Sequence, residues 1–167
     1  MIRKRNQIDN IRVERICLFS QESLEINALN IDDIDEGELS WIYILEGELF
    51  IESAKSKNLT SFVTNNKLND LRAFSEGFIK ITAGITGCAC LLIFSSKCCC
   101  SVKNLKDTNI ISSDTSISYI LPLVKNLEFT NSDKPLSTKN IVILPKGKSV
   151  KFKNLDNNSH HILLINT

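Results

Sequence analysis

Histidine is almost missing from this chain: of 167 residues only His160 and His161 carry an imidazole, and none precedes them. A metal centre or proton relay built from histidines on several strands is therefore excluded. Neighbouring residues on a strand point to opposite faces, so at most one of the two can look into an interior. Neither has a nucleophile or carboxylate at the local spacing of a catalytic pair. Net charge is missing as well, because 20 lysines and arginines balance 19 acidic residues. With no long-range field to recruit a polyanion, neither nucleic acid nor a membrane surface is an expected partner. The longest apolar stretch, Phe78 to Phe94, is broken by Lys80, Thr82 and glycines, and falls short of the ~20 residues of a spanning helix. Phosphate loops, serine nucleophile elbows and dinucleotide glycine motifs do not occur. The basic start Arg3-Lys4-Arg5 runs into Asn6, Gln7 and Asp9, which reads as a frayed terminus rather than a secretory signal. The expectation is a soluble, cytoplasmic protein.

What is present is enough apolar material, 43% of residues, to build one compact domain over residues 1–167. Valine, isoleucine, leucine and phenylalanine come in short runs between clusters of Asn, Ser, Asp, Lys and Gly, which is the spacing of many short strands. Strands are predicted over 12–19, 22–29, 40–45, 48–53, 77–81, 88–95, 116–121, 127–130, 140–144, 149–153 and 161–166. Short helices are the alternatives over 21–29, behind Ser20 as an N-cap, and over 66–74.

An internal echo predicts two related halves, 11–100 and 101–167. Ser40-Trp-Ile-Tyr-Ile-Leu45 matches Ser116-Ile-Ser-Tyr-Ile-Leu121, and each leads into an apolar segment at 49–51 or 127–129. Further on, residues 77–84 parallel 140–147, and each is followed by an apolar strand.

Segment 140–154 is similar to the second motif of the cupin family, with Pro145, Gly147, Val150 and Asn154 at that motif's spacing. Val150 stands where the family places a metal-binding histidine. Tyr43 to Ile51 resembles the end of the first cupin motif, with Gly47 at the turn between two strands, where glycine reaches positive φ without strain. A third, degenerate match places Gly87 at a histidine position behind Thr82-Ala83-Gly84. The resemblance implies an all-β double-stranded β-helix, or jelly roll, in which the metal ligands have been lost. The cyclic-nucleotide-binding jelly roll is disfavoured, since Gly47-Glu48-Leu49 is followed by no arginine until Arg72.

Five of the six cysteines, Cys88, Cys90, Cys98, Cys99 and Cys100, lie close together. Four thiolates can hold zinc, but the paired Cys-x-x-Cys spacing of structural sites is missing. If 95–97 is a hairpin turn, Phe94 faces Cys98, Cys90 faces Val102 and Cys88 faces Asn104, so the thiols do not converge. Reduced, structural cysteines are expected. The acidic run Asp32-Asp33-Ile34-Asp35-Glu36-Gly37-Glu38 reads as a solvated loop or a hard-cation site. Lys146, Lys148, Lys151 and Lys153 read as a protected sheet edge.

These features predict a non-catalytic cupin-like binding or assembly module with no cofactor, partnered by an unidentified small molecule or protein and forming a homodimer, with Trp41 and Tyr43 at its contact. The alternatives are a metal-independent isomerase or lyase, for which His161 with Tyr43 or Tyr119 is the available acid–base pair, and a metal or redox protein built on the cysteines. The candidate pocket residues are Tyr43, Tyr119, Val150 and His161. The scaffold turns are Gly47, Pro145, Gly147 and Asn154.

Overall fold

The computed structural model describes residues 1–27, 39–53, 59–63, 67–72, 78–95, 97–105, 108–123, 127–129, 135–136, 141–154 and 160–167. The architecture is an all-β jelly roll. The chain divides into two compact units, Met1–Ser96 and Lys97–Thr167. No helix among the described residues is long and apolar enough to cross a membrane.

The first unit contains β1 (Ile2–Ile8), β2 (Ile11–Leu18), β3 (Ser23–Asn27), β4 (Leu39–Ser53), β5 (Leu59–Val63), β6 (Lys67–Asp70) and β7 (Phe78–Phe94). Two long strands, β4 and β7, pair antiparallel along their length and exchange neighbours halfway. At one end the order is β1-β2-β7-β4-β6, and at the other it is β3-β7-β4-β5. The change occurs where the β4–β7 register slips between Ile44 and Glu46 and again between Gly47 and Leu49. Bulges of this kind bend a strand and sharpen its twist. Gly47 and Gly87 face each other across that bend at φ 88° and 80°, and a Cβ on Gly47 would overlap the carbonyl oxygen of Gly87. Only glycine fits, because the backbones touch there and the conformation is left-handed. Both halves of the bent sheet send aliphatic side chains, such as Ile16 and Leu92 from one and Ile51 and Ile81 from the other, into one buried core. The sheet is thus folded over on itself.

The second unit contains β8 (Cys99–Leu105), β9 (Thr108–Ser113), β10 (Ser118–Pro122), β11 (Leu127–Phe129), β12 (Pro135–Leu136), β13 (Val142–Leu144), β14 (Lys148–Asn154) and β15 (His160–Asn166). They form two sheets ordered β13-β10-β15-β8 and β12-β11-β14-β9. This is the pairing order of the first unit, with β4 cut into β10 and β11, and β7 cut into β14 and β15. The echo of 40–45 with 116–121 falls on corresponding strands. The echo of 77–84 with 140–147 does not, because the first half of β7 corresponds to β14, which begins at Lys148. The counterpart of β13 is β6, whose sequence Lys-Leu-Asn-Asp carries no apolar pattern to reveal it.

Several expectations need correction. Residues 2–8 are not a frayed terminus but the strand β1, paired along its whole length with β2 through a turn at Asp9, whose φ is 48°. The helical alternatives fail within 23–27 and 67–70, where ladder bonds to β7 and β4 claim the backbone. No hairpin joins 88–95 to 98–104: β7 pairs with β2 and β4, whereas β8 pairs with β15. The lysines of β14 do not mark an edge, since β11 and β9 flank that strand.

Candidate functional site

Charge enters the interior of the first unit along β2. Arg12, Glu14, Ile16 and Leu18 alternate onto one face, and Ile16 and Leu18 belong to the core. Glu14 stands opposite Leu92 of β7 on one side and Arg5 of β1 on the other. One row therefore crosses the sheet: Arg5, Glu14, Leu92, Ile42 and Asn69. Its ends are polar and its middle is aliphatic.

Glu14 is shared by three arginines. Arg3 Nε donates to Glu14 Oε2 at 2.7 Å, while Arg12 Nε and Arg5 Nε lie 3.3 and 3.9 Å from Oε1. The side chains of Glu14 and Arg12 are 1% and 5% exposed, but those of Arg3 and Arg5 are 45% and 47% exposed. Arg12 also lies flat over Phe94, 3.9 Å from the ring centroid, a cation–π contact that suits a desolvated guanidinium. Two buried polar atoms on this face, Glu14 Oε1 and Asn69 Nδ2, have no hydrogen-bond partner among the described residues. Strand β1 explains the burial. It covers the outer edge of β2, whereas among the described residues no strand flanks the corresponding edge of β8, the counterpart of β2, where Ser101 and Lys103 are exposed.

The second interior differs in kind. Leu105, Ile111, Ile120, Leu144, Val150 and Phe152 pack there, drawn from both sheets, with Ile162 and Leu164. Val150, at the position of the family's histidine, faces Ile111 across the ladder and is buried among aliphatic groups. Pro145 and Gly147 carry the chain from one sheet to the other in a turn closed by the Lys148 N–H donating to the Pro145 carbonyl at 3.1 Å. Gly147 sits at φ 73°, with open space where a Cβ would stand. Asn154 ends β14 opposite Leu127. Gly87, the degenerate histidine position, lies at the β7 bend against the carbonyl of Leu18.

The other predicted pocket residues point away from the two cores. Tyr43 lies between the core residues Ile42 and Ile44, so its ring is on the opposite face of β4, and it is fully buried. Burial pushes its phenol up to about 12. A side chain so shielded within its own chain is not available as the centre of a contact with a second copy. Trp41, on the same face, carries the Arg72 guanidinium 4.8 Å above its ring, and Arg72 in turn donates to both oxygens of Asp70. Tyr119 and His161 share the face of their sheet opposite Ile120, Ile162 and Leu164. Tyr119 pairs with Ile165, four residues from His161, hence about 13 Å along the strand at roughly 3.3 Å per residue. Their side chains do not meet. The side chain of His160 and residues 32–38 lie outside what is described.

All six cysteines are free thiols. Cys88 and Cys90 face the first core, and a hydrogen bond between them lowers Cys88 and raises Cys90. Cys98 Sγ lies 3.9 Å from Cys100 Sγ, and Cys99 is exposed. Among the described residues no three His, Cys, Asp or Glu side chains converge as a metal site would require.

The sequence matches no protein-family description and no curated protein. Solved structures are more informative. Oxalate decarboxylase from Lactobacillus farciminis is similar at a TM-score of 0.69 and 9% identity, over 93% of this chain and 76% of that one. AerE from Microcystis aeruginosa is similar at 0.65 and 11% identity, over 98% and 90%. A cupin 2 conserved barrel domain protein from Leptotrichia buccalis is similar at 0.60 and 11% identity, over 99% and 88%. The fold is therefore cupin-like, and these identities carry the fold alone.

Proposed function

We propose that this chain is a non-catalytic binding module of cupin fold whose working interior is that of the first unit. The observation that supports this reading is the contrast between the two cores. Where the resemblance places a metal histidine, Val150 is packed among aliphatic side chains. The first interior instead keeps a buried carboxylate, a buried guanidinium and two polar atoms, Glu14 Oε1 and Asn69 Nδ2, with no hydrogen-bond partner among the described residues. Buried polar groups left in that state raise the expectation of a ligand or bound water. An acid–base enzyme is the weaker reading, because Tyr119 and His161 lie too far apart along their sheet to exchange a proton directly. Six free thiols suit a reducing, cytoplasmic setting.

Native mass spectrometry with elemental analysis, on protein purified without chelator or added metal, tests the proposal. The expected result is a small-molecule adduct that is lost on denaturation, without stoichiometric zinc, iron or manganese. A stoichiometric metal would overturn the reading. The same spectrum reads the proposed self-association as a doubled mass.

A further inference from the structure

We propose that Cys98 and Cys100 form a reversible dithiol site, which a small-molecule disulfide such as oxidised glutathione converts to an intramolecular disulfide at the start of β8. This goes beyond the binding-module reading and does not depend on it. The observation that carries it is a contrast between two Cys-x-Cys pairs in one chain. Cys98 Sγ and Cys100 Sγ lie 3.9 Å apart, and a hydrogen bond likewise links the thiols of Cys88 and Cys90. Residues two apart on a strand share a face, so each pair meets side by side. Proximity does not separate the two pairs. Access and backbone freedom do.

Cys88 and Cys90 sit within β7, where ladder pairs to β2 and β4 hold the backbone on both sides. Both thiols belong to the first core. The hydrogen bond with Cys88, together with burial, holds the Cys90 thiol well above its ordinary range, so little thiolate is available there. Cys98 and Cys100 are placed otherwise. Cys100 is half-buried and Cys98 is buried, so Cys100 is the thiol that meets an oxidant and Cys98 the one that resolves it. Cys98 also precedes the first ladder pair of β8, Cys99 with Asn166, and can close on Cys100 without breaking the ladder. Cα atoms two residues apart on an extended chain are separated by about 6.6 Å, inside the roughly 4.4–6.8 Å that a disulfide spans. So short a loop gains little chain entropy on closure, and a span near the upper limit strains the bond, which makes it a labile link rather than a structural staple.

The exchange balances in two steps. Cys100, as thiolate, attacks one sulfur of the glutathione disulfide, whose S–S bond breaks and releases one glutathione thiolate, which takes up a proton in place of the one Cys100 gave up. Cys98 then loses its proton and attacks the Cys100 sulfur of the mixed disulfide, expelling the second glutathione. Two protein thiols are oxidised and one small-molecule disulfide is reduced to two thiols. Cys99 is exposed and points to the opposite face of the strand, which makes it the internal control for a reactive thiol without a resolving neighbour.

The test is incubation of the folded full chain with excess oxidised glutathione, then alkylation of the remaining thiols in denaturant and peptide mass mapping. The peptide holding residues 98–100 is expected to lose two alkylatable thiols and two hydrogens, with glutathione only on Cys99, while Cys88 and Cys90 stay fully alkylated. Excess reduced glutathione should restore both thiols. In Cys99→Ser the disulfide should form as before, which assigns it to Cys98 and Cys100. In Cys98→Ser a mixed disulfide should accumulate on Cys100, because the resolving thiol is gone. Should Cys98→Ser fail to fold, Cys99→Ser, changed at an exposed position, decides alone. Thiols at 98 and 100 that remain alkylatable, a mixed disulfide that persists on Cys100 of the parent protein, or a disulfide that disappears in Cys99→Ser would overturn the site. Equal oxidation of Cys88 and Cys90 would do the same.

Discussion

Replacing Glu14 with Gln keeps the shape of the side chain and removes its charge, and the structure sets the size of the penalty. Glu14 and Arg12 are 1% and 5% exposed, so their pairing is a buried one. Breaking such a pair by removing one partner costs about 3–5 kcal/mol, because the other charge is left desolvated. Arg3 and Arg5, nearly half exposed, contribute through screened contacts worth about 0.2–1 kcal/mol each. For a chain of 167 residues, each kcal/mol shifts Tm by roughly 2–4 °C. Glu14→Gln should therefore lower Tm by about 6–20 °C, whereas Arg3→Ala and Arg5→Ala should each lower it by a few degrees at most. The double change Arg12→Met with Glu14→Leu removes both buried charges together and should be close to neutral. Urea unfolding followed by circular dichroism gives the free energies directly. A Glu14→Gln penalty below about 1 kcal/mol, or one no larger than that of Arg3→Ala, would refute the claim that this carboxylate lies in a desolvated interior.

Three further outcomes are expected. Val150→His places an imidazole in a filled aliphatic core, so it should cost about 1–3 kcal/mol for the buried polar group, with overpacking in addition; a variant as stable as the parent would show the core has room. Gly47→Ala should destabilise far more than Gly147→Ala, since both have positive φ but only Gly47 has a carbonyl oxygen in the way; equal penalties in chemical denaturation would contradict the packed bend. In a Tyr119→Phe variant the remaining tyrosine, Tyr43, should ionise near pH 12 by absorbance. Because the folded value is raised above the unfolded one, the associated stability is present below about pH 10 and is lost as pH rises toward 12. A midpoint near 10 in the folded protein would show that Tyr43 is solvated.

Much of the fold was legible because the apolar runs are short and their separators polar. The strand near 12–18, the bend at Gly47 and the turn at Pro145–Gly147 all fall where residue type predicts them. Strand β1 was not legible, since Arg-Lys-Arg-Asn-Gln offers no alternation. An edge strand is held by backbone ladder bonds, which are independent of side-chain character. The long strands β4 and β7 were read as broken because a bend interrupts the apolar pattern without interrupting the pairing. The polar interior was missed for the same reason as β1: Arg3 and Arg5 read as part of a frayed terminus, and Arg12 as the first residue of a strand with no partner assigned. One signal did exist. In β2 the apolar positions change parity, from Ile11 and Val13 to Ile16 and Leu18, and a strand whose apolar side switches is buried on both faces. Arg12 and Glu14 must then be inside. Register with β1, which brings Arg3 and Arg5 to Glu14, depends on pairing and lies beyond any local pattern.

The central claim is that the first interior receives the ligand and the second is packed shut. The most direct measurement is a map of backbone amide chemical-shift differences across the whole chain between the protein as purified, carrying its adduct, and the same protein refolded after the adduct has been removed by denaturation. Differences confined to the strands of the first interior, around Glu14 of β2 and Asn69 of β6, with β14 silent, are expected. Changes centred on Lys148 to Phe152, with β1 and β2 unmoved, would contradict it.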